Sequence, residues 1–153
     1  MKDQINVKGT VKIELFNKKG ELKDKREICE NLVVNTGLYH IADQMSDKGE
    51  AVMSHMAIGT GTTAPVAGDT ILQAELDRNA LTSKTQGAAA DQNKVTYIGD
   101  WAAGDGTGAA ITEAGIFNAA TAGVMLARIT FSVINKAAND TLRITWQHTY
   151  NAA

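Results

Sequence analysis

At 153 residues the chain has the length of one domain and can bury a sizeable core, so one domain over residues 1–153 is expected. With 15 basic and 17 acidic side chains the net charge is -2, which excludes a global field that would draw in nucleic acid or an anionic membrane. The single cysteine, Cys29, excludes an intrachain disulfide framework and a thiolate-only metal site.

The N-terminal stretch MKDQINVKGTVKIE has no apolar leader core. No run approaches the roughly 18 apolar residues of a membrane helix, so a chain made soluble in the cytosol is expected. Met1 to Gln4, three of them polar, read as an extended N-terminal arm. From Ile5 to Leu15 apolar and polar residues alternate, the period of a strand with one buried face. Asn17-Lys18-Lys19-Gly20 follows, its glycine placed for the positive φ of a hairpin loop. Glu21 to Val34 returns as a second strand, interrupted by Asp24, Arg26 and Glu30 and therefore an edge or partly exposed.

In NTGLYHIADQMSD, Leu38, Ile41, Ala42 and Met45 fall at i, i+3, i+4 and i+7, which predicts a helix of about three turns, enough to plug one end of a β-core. Asn35 or Thr36 is available to cap it. Val52 to Ile58 reads as a short strand running into the loop GTGTTAPVAGDT, which holds Pro65, the only proline. TILQAELDR fits a helical turn or an extended segment equally well. Residues 78–86 and 94–102 read as two strands joined by GAAADQN. Residues 111–117 and 124–134 form a further pair around a turn near 119–123, the second apolar on both faces and so expected to be central. The last strand, TLRITWQHTY, points Leu142, Ile144, Trp146, His148 and Tyr150 one way. Seven to eight strands with one or two short helices predict an antiparallel β-sandwich or jelly roll.

Chemistry-bearing patterns are sparse. His40, His55 and His148 show no HExxH and no i, i+4 pair, so no metal is expected. GTGTTAPVAGDT lacks the Lys-Ser/Thr of a phosphate loop, and Asp100 with Asp105 matches no calcium loop. Ser54, Ser83 and Ser132 lack a GxSxG setting, and Cys29 has no histidine nearby in sequence, so neither an enzyme nor a cofactor is expected. The hairpin lysines 18, 19, 23 and 25 with Arg26 are offset by Glu21, Asp24 and Glu27, and no aromatic interleaves for nucleic acid. Trp101, Trp146 and Tyr97 are read as core or interface residues. Glu75 and Arg78, three apart, are read as a local ion pair, with an intersubunit pair as the sharper alternative.

Charge is also uneven: residues 1–50 hold 18 of the 32 charged side chains. A long charge-poor remainder points to outer faces that meet another subunit.

NLVVNTGLYHIAD, HMAIGTGTTAP, LQAELDR and ITEAGIFNAATAGVMLARITFSVINKAANDTLRITW, in that order, cover about residues 30–147. This order resembles a group of small structural proteins encoded by tailed bacteriophages. The resemblance implies a virion protein, made in the host cytoplasm, with the 111–134 hairpin as scaffold and Gly115 allowing a close approach. Glu113 is then expected to pair with Arg78 or Arg128. The expected role is capsid decoration: a dimer or trimer that binds the major capsid protein of the assembled shell. A tail or tail-fibre attachment module is the alternative, and it calls for an exposed loop aromatic such as Trp101. Candidate contacts are Lys2, Asp3, Gln4, Thr62, Pro65, Trp101 and Asp105, in the N-terminal segment and the loops at 59–69 and 102–108.

Overall fold

The alternation at the start of the chain becomes β1 (Ile5–Phe16), which buries Val11, Ile13 and Leu15 on one face. A computed structural model describes residues 4–152. Gly20 takes φ 80° in the hairpin loop. The return strand β2 (Leu22–Ile28) is an edge strand whose alternating charges guard it against further pairing. It ends earlier than residue 34. Residues 29–31 cross to the other sheet, where Leu32–Val33 forms β3 beside the strand that runs from Met125.

Helix α1 (Asn35–Ser46) follows without the expected side-chain cap. Its N-cap is Val34, whose side chain is fully buried, and Asn35 and Thr36 are already helical. Tertiary contacts take over the capping task. The Asn35 amide donates to the Ala67 carbonyl at 2.8 Å, and the Thr36 hydroxyl donates to the Met125 carbonyl at 2.9 Å. The stripe divides on packing: Ile41 is half-buried against the core, Leu38, Ala42 and Met45 are exposed, and Gly37, His40 and Asp43 face inward.

The remaining strands are β4 (His55–Gly59), β5 (Glu75–Ala80), β6 (Ser83–Gln86), β7 (Lys94–Trp101), β8 (Ala110–Phe117), β9 (Met125–Asn135) and β10 (Thr141–Ala152). TILQAELDR is thus extended at its end. The expected single strand over 78–86 is two, because the chain changes sheets at Leu81–Thr82: the Leu81 amide bonds Ser54 and the Thr82 amide bonds Ile98. That corner and the separate β3 raise the strand number above the seven or eight expected.

All pairings are antiparallel, in two five-stranded sheets ordered β2-β1-β10-β7-β6 and β3-β9-β8-β4-β5. The first and last long strands pair over their whole length, from Ile5 opposite Ala152 to Phe16 opposite Thr141. Between the sheets lies one core, in which Ile13, Trp101, Ile144 and Trp146 of the first sheet meet Met56, Ile58, Ile116 and Ile134 of the second. Each fully buried aliphatic side chain there contributes roughly 1.5–3 kcal/mol. Among the described residues the architecture is a mainly β, sandwich-like pair of antiparallel sheets with one α-helix. Among the described residues no helix is long and apolar enough to cross a membrane.

β8, not β9, is the central strand of its sheet. β9 is apolar on both faces for another reason. One face joins the core, and the other, at Met125, lies in a second cluster with Val34, Ala57, Leu72 and Phe117 on the outer side of the sheet. The long loop 60–74 and α1 cover that outer side, and they are what the candidate site is made from.

Candidate partner-binding face and its anchored loops

The loop between β4 and β5 is held down by one carboxylate. Glu113 projects from β8 onto the outer side of the sheet and is fully buried. Its Oε1 accepts from the Gly61 amide at 2.9 Å and the Ala74 amide at 2.7 Å, and its Oε2 accepts from the Gln73 amide at 3.1 Å. Arg128, from the neighbouring strand β9 and 2 % exposed, donates Nε to the same Oε2 at 2.9 Å. The guanidinium then reaches Asp69 Oδ2 at 2.9 Å and the Thr63 carbonyl at 3.1 Å. Both ends and the middle of the loop are therefore tied to one ion pair. Burial pushes the Glu113 carboxyl up, but the Ala74 amide, the Arg128 guanidinium and the Gln73 and Gly61 amides together hold it below the usual carboxylate range.

Local bonds finish the loop. The Gln73 side-chain oxygen accepts from the Thr62 and Thr63 amides at 3.0 Å each, and Asp69 accepts from the Val66 amide at 3.0 Å. Gly115 supplies the room: a Cβ there would lie 2.9 Å from Leu72 Cδ2. The loop consequently turns Val66 and Ile71 outward, 57 % and 66 % exposed.

A second clamp fixes the turn between β8 and β9. Arg78 on β5 forks onto Glu75, Nε to Oε1 at 2.9 Å and Nη2 to Oε2 at 2.6 Å. Its Nη1 donates to the Ala119 and Ala122 carbonyls at 3.1 and 2.9 Å, and its guanidinium carbon lies 3.6 Å from the centre of the Phe117 ring. Glu75 and Arg78 are thus paired within the chain, and the arginine is occupied by the turn. Lysine cannot form this planar fork. Arg78→Lys is expected to cost about 1–3 kcal/mol and to raise amide exchange at 118–124, which thermal denaturation and hydrogen exchange would measure.

The candidate contact residues are scattered. Lys2 and Asp3 lie outside the described residues; Gln4 is exposed ahead of β1. Thr62 is exposed on the anchored loop, and Pro65 is half-buried beside a groove of about 310 Å³ that Asn31, Leu32 and Ile129 also line. Asp105 is exposed in the 102–108 loop, where it accepts from the Ala102 amide at 3.3 Å. Trp101 is a correction: it ends β7 with its side chain pointing between the sheets, 0 % exposed, so strand parity removes it from any contact surface. Trp146 and Tyr97 are core residues as well.

The histidines do different jobs. His40 Nδ1 lies 3.0 Å from Glu50 Oε2, and His55 Nδ1 lies 2.8 Å from the Ser54 hydroxyl. His148 is fully buried from β10, with its Nε2 at 3.1 Å from the Asn31 amide nitrogen and its ring edge-on to Tyr97 and Trp146. Burial lowers its pKa to about 4. No group of three ligand side chains that could hold a metal exists among the described residues.

Sequence reasoning missed Asp69, Gln73 and Asn31 as anchors, since each acts on groups far away in the chain. The available signal was a Glu and an Arg inside otherwise apolar strands, which only mutual pairing makes tolerable. Set against protein-family models, curated proteins and solved structures, the chain finds no match in any of the three comparisons.

Proposed function

We propose that this chain is a bacteriophage virion structural protein, a capsid decoration or cement protein that binds the major capsid protein on the assembled shell. The observation that carries this reading is where the charge goes. The motifs that resemble phage structural proteins, ELDR, TEAG and LAR, supply Arg78, Glu113 and Arg128, and all three hold loops in place. Chemistry of that kind builds a presenting surface: a stiff platform showing Val66, Ile71 and Thr62, with the 102–108 loop and the N-terminal segment as further candidate contacts.

Function then follows from linkage. A ligand that binds the assembled shell and not its free subunits stabilises the shell by mass action, about 2.7 kcal/mol per site at a hundred times Kd, without catalysis. An oligomer of two or three copies adds avidity over a repeating lattice.

The tail-module alternative keeps one supporting feature, Tyr39, 70 % exposed on α1, but loses the loop aromatic it called for because Trp101 is in the core. Purified protein should be mixed with mature particles and, separately, with isolated tails. Saturable binding to heads with a raised particle melting temperature is expected, and the double variant Val66→Glu, Ile71→Glu should weaken it at least ten-fold. Binding only to tails would sink the capsid reading.

A further inference from the structure

Helix α1 is turned the wrong way round for its own sequence pattern. Of its apolar positions at helical spacing, Ile41 is half-buried against the core but Leu38, Ala42 and Met45 face away from the sheets, while Gly37, His40 and Asp43 face inward. The inward polar groups are satisfied: His40 by Glu50, and Asp43 Oδ1 by the Glu50 amide at 2.9 Å. Packing sets this orientation, because Gly37 sits so close to β9 that a Cβ there would lie 2.1 Å from the Leu126 carbonyl oxygen. Rolling the helix to bury Leu38 would drive a large side chain into that backbone. Leu38 and Met45 are left in solvent, 48 % and 80 % exposed, with Tyr39 on the flank of the stripe 70 % and Val52 after the helix 51 % exposed. A helix that faces water ordinarily puts polar residues there.

We propose that a second copy of this chain docks on the stripe, the two α1 helices packing antiparallel across a two-fold axis near Ala42. The spacing is self-complementary. With Ala42 at the crossing, Leu38 of one copy runs beside Met45 of the other, and the small residue between them lets the backbones approach. The four exposed apolar side chains offer on the order of 400 Å² per copy. That is about half of the roughly 800 Å² each partner of a stable pair buries, and a polar rim supplies the remainder in ordinary interfaces. Met45 and Val52 also border a groove of about 740 Å³ of mixed character, between α1 and the first sheet, that His40, Lys84, Tyr97 and Tyr150 line. Asp47 and Lys48, exposed directly after the helix, carry opposite signs, so two copies meet without a block of like charge there. This gives the oligomer of the preceding section a surface and rests on that part of the reading alone; capsid attachment is not required.

The test is sedimentation velocity over a concentration series for the wild type, Leu38→Glu, Met45→Glu and Val66→Glu, with far-UV circular dichroism to show that each is folded. The wild type should be a dimer, and Leu38→Glu and Met45→Glu should each weaken it by roughly a hundred-fold or more, because a buried unpaired carboxylate opposes the contact. Val66→Glu, on the loop face, should remain dimeric. A wild type that is monomeric throughout, a trimer, or a dimer that survives both helix substitutions would overturn the proposal. Particle binding measured on the same proteins separates the two readings: folded monomers that still saturate heads leave the capsid reading standing, and dimers that ignore heads leave the interface standing.

Discussion

Glu113→Gln should destabilise the protein by about 3–5 kcal/mol, the usual cost of breaking a buried ion pair from one side. The side chain keeps its shape, so the effect is one of charge and hydrogen bonding. Glu113 uses both oxygens as acceptors, for three backbone amides and Arg128. A glutamine must aim its NH₂ group at donors on one side or the other, and it leaves Arg128, 2 % exposed, with Asp69 as its only carboxylate partner. For a chain of this size the loss corresponds to a fall in melting temperature of roughly 10 °C or more. Hydrogen exchange should show the amides of Gly61, Gln73 and Ala74 losing protection ahead of the strands. A double-mutant cycle with Arg128→Met checks the cause, because a coupling energy of about 1 kcal/mol or more is expected between side chains in contact. Additive losses would show that the pair does not act as a unit. The carboxyl adds a pH signature. Its folded pKa lies below the ordinary 4.5, so its stabilisation is complete above that value and is lost as pH falls through the folded pKa.

Stability should begin to fall at a higher pH than carboxylates alone would produce, and His148 is the reason. Its pKa drops from 6.5 to about 4 on folding because the ring is fully buried, with Tyr97 and Trp146 edge-on and the Asn31 amide as its hydrogen-bond partner. Between those two values the unfolded chain binds a proton that the folded chain refuses. Unfolding therefore becomes easier as pH falls from about 6.5 to about 4, by roughly 1.4 kcal/mol per pH unit and about 3 kcal/mol in all. The depressed carboxyls Glu113, Asp100 and Asp140 add to this only below their own ordinary values, 4.5, 3.8 and 3.8, which leaves the upper part of the window to the histidine. Urea titrations from pH 7 to 4.5 should show this slope, and His148→Phe should flatten it while keeping an aromatic ring in the core. An imidazole proton resonance that titrates near 6.5 in the folded protein would contradict the argument.

Strand-by-strand alternation carried much of the fold. Val11, Ile13 and Leu15 on β1 and Leu142, Ile144, Trp146 and His148 on β10 are buried on the parity their sequence shows. Parity is a local property, dictated by successive side chains pointing to opposite faces, and needs no knowledge of partners. The same logic read β2 as an edge or partly exposed strand, since charges along a strand forbid burial of both faces, and β2 is the outermost strand of its sheet. Helical periodicity located α1 but not the side that packs, because that decision lay with Gly37 meeting the Leu126 carbonyl, a contact across 89 residues of chain. The 78–86 segment shows no sequence break at Leu81, yet the chain changes sheets there to reach Ile98.

The sequence by itself determined that the chain builds antiparallel sheets around an apolar interior and how each strand splits into two faces, and it left Glu113 with two candidate partners, Arg78 and Arg128. Only the tertiary structure decided between those two, why Trp101 is inside, and which side of α1 meets water. The physical reason is range. Side-chain alternation and charge desolvation act within a few residues and are written along the chain, whereas close packing and hydrogen-bond satisfaction depend on segments that folding brings together from far apart.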